Sequence, residues 1–233
     1  MRLLLVVALF SFAQNVLSLG GFGVKKVSPS TSTTSSISSY VPPSDAAPCP
    51  CTSSLNYENC CKPYHSQSIE ESSPAGVIRA RYSAYAMRNF EYIIDSTSTT
   101  STDFEYYEST TPTKEKARRK WVKDLKFNFK DYHMVKMEID SEEDIGDKES
   151  ATVTYRQLAI RIADNVMFPT QETSHLVLSP ANGEGKRQWR YVRGDVARPS
   201  SELASVMMET WPGLVGLELK PGMADVGTPK RNA

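Results

Sequence analysis

Four cysteines fall within thirteen consecutive positions, Cys49-Pro50-Cys51 and then Cys60-Cys61, and the chain has no others. A segment this short has no apolar core of its own, so something other than burial must hold it. A tetrahedral zinc site takes four soft ligands brought together by two short turns. Here one turn supplies Cys49 and Cys51 and the next supplies Cys60 and Cys61. The spacing therefore predicts one structural Zn2+ on these four side chains. With four protein ligands the ion has no open position, which argues against metal-assisted hydrolysis. Disulfides are the alternative, in any of three pairings; joining 49 to 51 and 60 to 61 would close two small strained rings. A redox role for Cys-Pro-Cys fits four clustered thiols less well.

The compartment bears on that choice. Residues 1–44 contain no Asp or Glu. Residues 1–18 read as a secretory signal, with Arg2 ahead of an apolar run at 3–12 and small residues after it. That run falls short of the roughly 20 apolar residues needed to cross a bilayer, so the mature chain is expected to have no transmembrane segment. Residues 19–47 form a transit-like, disordered linker, basic at Lys25 and Lys26 and then rich in Ser and Thr. A signal followed by such a segment near Phe22 resembles the bipartite presequence of algae with secondary plastids, and predicts delivery to a plastid. Plain secretion is the alternative. A reducing stroma favours thiolates and metal. Removing residues 1–44 takes away Arg2, Lys25 and Lys26 and leaves 24 basic against 27 acidic side chains. Neither that balance nor the formal net charge of +0 for the whole chain gives a global field for nucleic acid.

Beyond a knuckle at 48–66, Ser73 and Pro74 open a helix as N-cap and first-turn residue. Val77, Ile78, Ala80, Tyr82, Ala84, Tyr85 and Met87 share one broad face, with Arg81 in its middle. An arginine there needs a carboxylate or carbonyl partner, so Arg81 is either an internal tie or the anchor of a pocket. A second short helix is expected at 90–94, a Ser/Thr loop at 96–103, and a helix over 113–125. The basic run of that last helix is interrupted by Glu115 and Asp124, so it reads as a solvated face rather than a nucleic-acid site. Strands are expected at 126–140 with a bulge near His133, then at 151–162, 172–178 and 188–193, with an acidic turn at 141–148 and a hairpin loop at 182–185. Helices first and an antiparallel meander after them make an α+β fold, the sheet curled around the helices. A short amphipathic helix ending at Trp211 opens the extension at 199–233, where Leu214, Val215, Leu217 and Leu219 are candidates for docking and disorder is expected from Met223 on.

The Cys-Pro-Cys and Cys-Cys pairs with Tyr64-His65, the helix SPAGVIRARYSAYAMRNFEYIIDST, then WVKDLKF, QETSHLV and RQWRYVRGD resemble the YchJ family over about 48–195. That family joins a SEC-C zinc motif, also found in SecA, to a domain of the nuclear-transport-factor-2-like fold, here at 73–198. The resemblance implies Cys49, Cys51, Cys60 and Cys61 as zinc ligands and no catalytic residue. One departure stands out: the usual Gly-Ser-Gly after the second cysteine is Thr52-Ser53-Ser54 here.

Two functions are expected from this. One is a non-enzymatic protein whose knuckle docks a macromolecular partner, which analogy with SecA places in translation or translocation. The other is a small-molecule binder or enzyme using a pocket of the cone-shaped domain. Its candidate lining is Arg81, Tyr82, Tyr85, Trp121, Tyr155, Glu172 and Trp189, with Asp95 as a second polar anchor. Nothing in the sequence makes His133, His175, Asp95 and Glu172 converge, and His65 reads as a loop histidine.

Overall fold

The computed structural model describes residues 43–69, 72–145, 149–180, 187–197 and 201–211. Residues 1–42, within the expected signal and transit-like linker, the hairpin loop expected at 182–185, Gly146 and the tail from 212 lie outside the described residues. The knuckle begins with a bridge between Pro48 and Asn56, where Cys49 N donates to Leu55 O at 2.8 Å. A 3-10 turn (Tyr57–Asn59) then leads to helix α1 (Lys62–His65).

Helix α2 (Pro74–Met87) starts as its cap chemistry dictates: the Ser73 hydroxyl accepts from Gly76 N, and Pro74 fills the first turn. Arg88 ends it in the left-handed region, at φ 64°. Val77, Ile78, Ala80, Tyr82 and Ala84 of the expected apolar face are buried. Ser83, which lies outside that face, is buried as well, because the knuckle covers it through His65.

Helix α3 (Phe90–Asp95) is capped by Asn89. Helix α4 (Thr102–Ser109) occupies ground read in part as a Ser/Thr loop; Ser101 caps it by accepting from Phe104 N at 3.1 Å. Helix α5 (Lys114–Phe129) runs past its expected end and takes residues 126–129 from the first strand. Ala117, Trp121, Leu125 and Phe129 recur at every fourth position and are all buried, whereas Phe127 is exposed. Helical burial overrides the apparent alternation there.

Strands β1 (Tyr132–Asp144), β2 (Ser150–Arg161), β3 (Val166–Pro180) and β4 (Arg187–Val196) form an antiparallel meander in the order β1-β2-β3-β4. Residues 141–144 of the expected acidic turn are the end of β1. The register of β1 shifts between Met134 and Lys136, two residues beyond the expected bulge, and again between Ile139 and Ser141. The first shift lets Met134 and Met137 both reach the core.

Each edge strand is tied to another part of the chain. On β1 the Thr52 hydroxyl meets Met137 N and O. On β4, Ser98 N donates to Tyr191 O at 2.7 Å and Tyr191 N donates to Ser96 O at 2.9 Å. Unpaired edge strands are templates for association, and these contacts engage each edge at one residue. Cys49, Cys51, Tyr57 and Cys61 belong to the same buried cluster as α2, α3, α5 and the sheet. Helix α6 (Ser201–Thr210) packs on the other face of the sheet, where Met207 and Trp211 meet Leu158 and Met167. The Trp211 indole donates to Glu138. No helix among the described residues is long and apolar enough to cross a membrane.

Candidate functional site

The Sγ atoms of Cys49, Cys51, Cys60 and Cys61 all lie within 4.8 Å of one another. All four cysteines are free; Cys60 is half-buried and the other three are buried. Cys51 and Cys60 sulfurs stand 3.4 Å apart and those of Cys60 and Cys61 3.9 Å apart. A disulfide would need about 2.05 Å. A tetrahedron with metal–sulfur bonds of about 2.3 Å has edges of about 3.8 Å. The four sulfurs thus fit a single metal ion and could hold one.

The thiols share their protons unequally. Mutual hydrogen bonding with Cys49 holds Cys51 far below the ordinary thiol value and draws Cys60 down to about 7. Cys49 is pushed up, first by Cys51, and Cys61 is pushed up, first by Cys49. The Ser53 hydroxyl lies 3.1 Å from the Cys60 sulfur.

Two left-handed residues shape the turn after Cys51: Thr52 at φ 62° and Ser54 at φ 67°. These are the two positions where the family resemblance leads one to expect glycine. The turn keeps its shape and bears the steric cost of a side chain at each.

His65 joins the knuckle to α2. Its Nε2 lies 2.8 Å from Ala80 O and 3.1 Å from the Ser83 hydroxyl, and its Nδ1 lies 2.9 Å from the Tyr57 hydroxyl. Burial lowers its pKa, opposed by the Ala80 carbonyl. The geometry suits a neutral ring that donates from Nε2 and accepts at Nδ1. His65 is therefore a structural bridge, neither a loose loop residue nor part of the sulfur cluster.

A second feature is a cavity of about 60 Å³ between α2 and the sheet. Arg81, Tyr82, Tyr85, Tyr155 and Glu172 line it, five of the seven side chains considered from the sequence. The other two lie elsewhere. Trp121 is stacked on Tyr107 of α4 at 4.7 Å, buried by a helix the sequence reading lacked. Trp189 sits further along β4 toward Ser72, whose hydroxyl accepts from Trp189 N at 3.0 Å. Tyr191, two residues on, takes its place in the lining, together with Phe129, Gln157 and Thr170. Strand alternation puts 189 and 191 on one face, but only the long-range register says which of them reaches the cavity.

Arg81 serves as both tie and lining. Its Nη1 donates to Ile93 O at 2.9 Å, Ser96 Oγ at 2.8 Å and Thr97 Oγ1 at 3.1 Å, and its guanidinium lies 4.1 Å from the Tyr191 ring centroid. Its partners are a carbonyl and two hydroxyls. Glu172 is buried and accepts from Ser174 Oγ at 2.8 Å. Burial first, then the Glu172 carboxylate, push Tyr155 and Tyr191 well above the ordinary phenol value. Tyr82 is raised by burial first and then by charge on Cys51, and its hydroxyl is the one buried side-chain polar atom among the described residues with no hydrogen-bond partner.

His133 is exposed at the start of β1, His175 pairs with Asp195 at 2.7 Å, and Asp95 pairs with Arg118 at 2.6 Å. None of these lines the cavity with Glu172.

A four-cysteine knuckle fused to a helix-backed antiparallel sheet defines a nuclear-transport-factor-2-like protein with a candidate metal centre. The sequence model described as the middle, NTF2-like domain of YchJ matches residues 73–194. The chain belongs to the YchJ family. It is 41% identical over 49 residues to a UPF0225 protein of Actinobacillus succinogenes, covering 21% of this chain and 32% of that one. Over 46 residues it is 39% identical to a UPF0225 protein of Deinococcus radiodurans, covering 20% of this chain and 35% of that one. The chain thus spans about a third of the length of these curated relatives. Among solved structures, a SEC-C motif containing protein from Rhodopseudomonas palustris matches with a TM-score of 0.48 at 19% identity, covering 64% of this chain and 98% of that one. One from Psychrobacter arcticus matches with a TM-score of 0.49 at 18% identity, covering 67% and 88%.

Proposed function

We propose that the chain is a non-enzymatic interaction protein whose knuckle is held by one structural Zn2+ and docks a macromolecular partner. The convergence of four sulfurs within 4.8 Å carries this reading. Cys49, Cys51, Cys60 and Cys61 would hold the ion as thiolates, and the ion would supply folding energy that so small a segment cannot find in burial. Analogy with SecA favours a partner from translation or translocation. A place where the knuckle could meet it is Leu55, a large apolar side chain 53% exposed between the two cysteine pairs.

Proximity labelling in cells with the native chain and Leu55→Ser in parallel tests the docking role. A partner whose labelling falls severalfold in the variant, at unchanged metal content, supports it. Labelling unaffected by Leu55→Ser and by loss of the metal overturns it. Plastid delivery is part of the same proposal, resting on residues 1–44. A fluorescent protein carrying them should accumulate in plastids, and accumulation in the medium would favour plain secretion.

A further inference from the structure

Arg81 and Glu172 are both buried and both line the cavity between α2 and the sheet, yet neither forms an ion pair among the described residues. Two opposite charges withdrawn from water and not joined to each other are costly, so their separation calls for a reason. The Arg81 bonds to Ile93, Ser96 and Thr97 all use Nη1. A guanidinium has five N–H groups, three of them on Nε and Nη2. The Tyr85 hydroxyl bonds to the guanidinium, whose charge draws it down against the burial that holds it at about 12, and takes up at most one of those three. On the other side Glu172 uses Oε1 for Ser174 and for Tyr191, the latter at 3.5 Å, and the Tyr155 hydroxyl also bonds the carboxylate.

A simple anion drawn to Arg81 would also meet the Glu172 carboxylate. A simple cation drawn to Glu172 would meet Arg81. A molecule with an acceptor end and a donor end satisfies both, and its contacts gain strength where water is excluded. The volume of about 60 Å³ limits its size. At roughly 10–15 Å³ for each water-sized occupant, that is room for about four to six non-hydrogen atoms.

We propose that this cavity binds a small amino- or hydroxy-carboxylate, its carboxylate on the second edge of Arg81 and its N–H or O–H on Glu172. The site is independent of the metal centre and of any partner of the knuckle.

The test is an NMR titration of the full chain with labelled tyrosines, following the rings of Tyr155 and Tyr191. The probes are glycine, glycolate, acetate and methylammonium. Glycine or glycolate should give saturable shifts in the millimolar range or below, with acetate and methylammonium at least about tenfold weaker. Glu172→Gln keeps the shape and removes the charge, and should weaken the bound probe by at least about tenfold. If that variant does not fold, Tyr85→Phe, which removes only the hydroxyl beside Arg81, should weaken it severalfold. No saturable shift with any probe, acetate binding as well as glycine and glycolate, or folded variants binding as the native chain does would each overturn the proposal.

Discussion

Thr52 grips Met137 by both of its backbone polar groups: the hydroxyl donates to Met137 O at 2.9 Å and accepts from Met137 N at 3.2 Å. The two residues are 85 positions apart, one in the turn after Cys51 and the other in edge strand β1. The turn that carries the sulfur cluster is thereby fastened to the sheet at its β1 edge. Thr52 holds this position in the left-handed region, which costs a β-branched residue about 1–2 kcal/mol. Two hydrogen bonds of about 0.5–1.5 kcal/mol each offset that cost.

Replacing Thr52 separates the two effects. Thr52→Ala keeps most of the strain and loses both bonds, and should lower stability by about 1–3 kcal/mol. Thr52→Gly loses the bonds but relieves the strain, and should lower it by less. Urea midpoints at constant slope give the comparison; an alanine variant as stable as the native chain would refute the clamp, and a glycine variant less stable than the alanine one would refute the strain.

The unpartnered Tyr82 hydroxyl makes a prediction of opposite sign to most core changes. Tyr82→Phe removes a buried polar atom with no hydrogen bond and should leave stability unchanged or raise it by up to about 1–3 kcal/mol. A loss beyond about 1 kcal/mol in thermal or urea unfolding would mean that the hydroxyl has a partner, such as a buried water.

His65 should make stability depend on pH near neutrality. Its folded pKa lies below the ordinary 6.5 because of burial. Below 6.5 the unfolded chain binds a proton that the folded chain refuses. Stability is therefore full above that value and declines as pH falls from it toward the folded pKa. The urea midpoint measured between about pH 5.5 and 8 should fall on the acid side, and His65→Phe, whatever its absolute stability, should flatten the slope. An equal slope in both proteins removes His65 as the cause.

Gly194 leaves space for the Glu172 carboxylate. A Cβ there would stand 2.1 Å from Glu172 Oε1 and 2.8 Å from the Tyr191 hydroxyl. Gly194→Ala should cost about 1–3 kcal/mol by overpacking. Combined with Glu172→Ala, the total should fall short of the sum of the single changes, since the closest clash is then gone and only the Tyr191 hydroxyl remains in the way. Strict additivity would show that Gly194 acts through something else.

What the sequence made legible was local chemistry. The cysteine pairs and the Ser73 cap with Pro74 operate within a few residues. What it hid was set by distant partners. The α4 cap, Ser101, looks like any other serine in its Ser/Thr run, and α4 gains its place by stacking Tyr107 on Trp121. Phe127 and Phe129 suggest a strand until α5 buries the second and exposes the first. The choice of Tyr191 over Trp189 for the cavity depends on the strand register and on a bulge between His175 and Leu176, which no stretch of β4 encodes alone. The knuckle also reads as a separate unit, yet it shares one core with α2 and the sheet. Removing the proposed Zn2+ should therefore loosen β1 as well.

The most direct test of the account is elemental analysis together with thiol counting on protein purified without added metal or chelator. One zinc per chain with four reduced cysteines is the predicted result; a metal-free chain carrying two disulfides would contradict it.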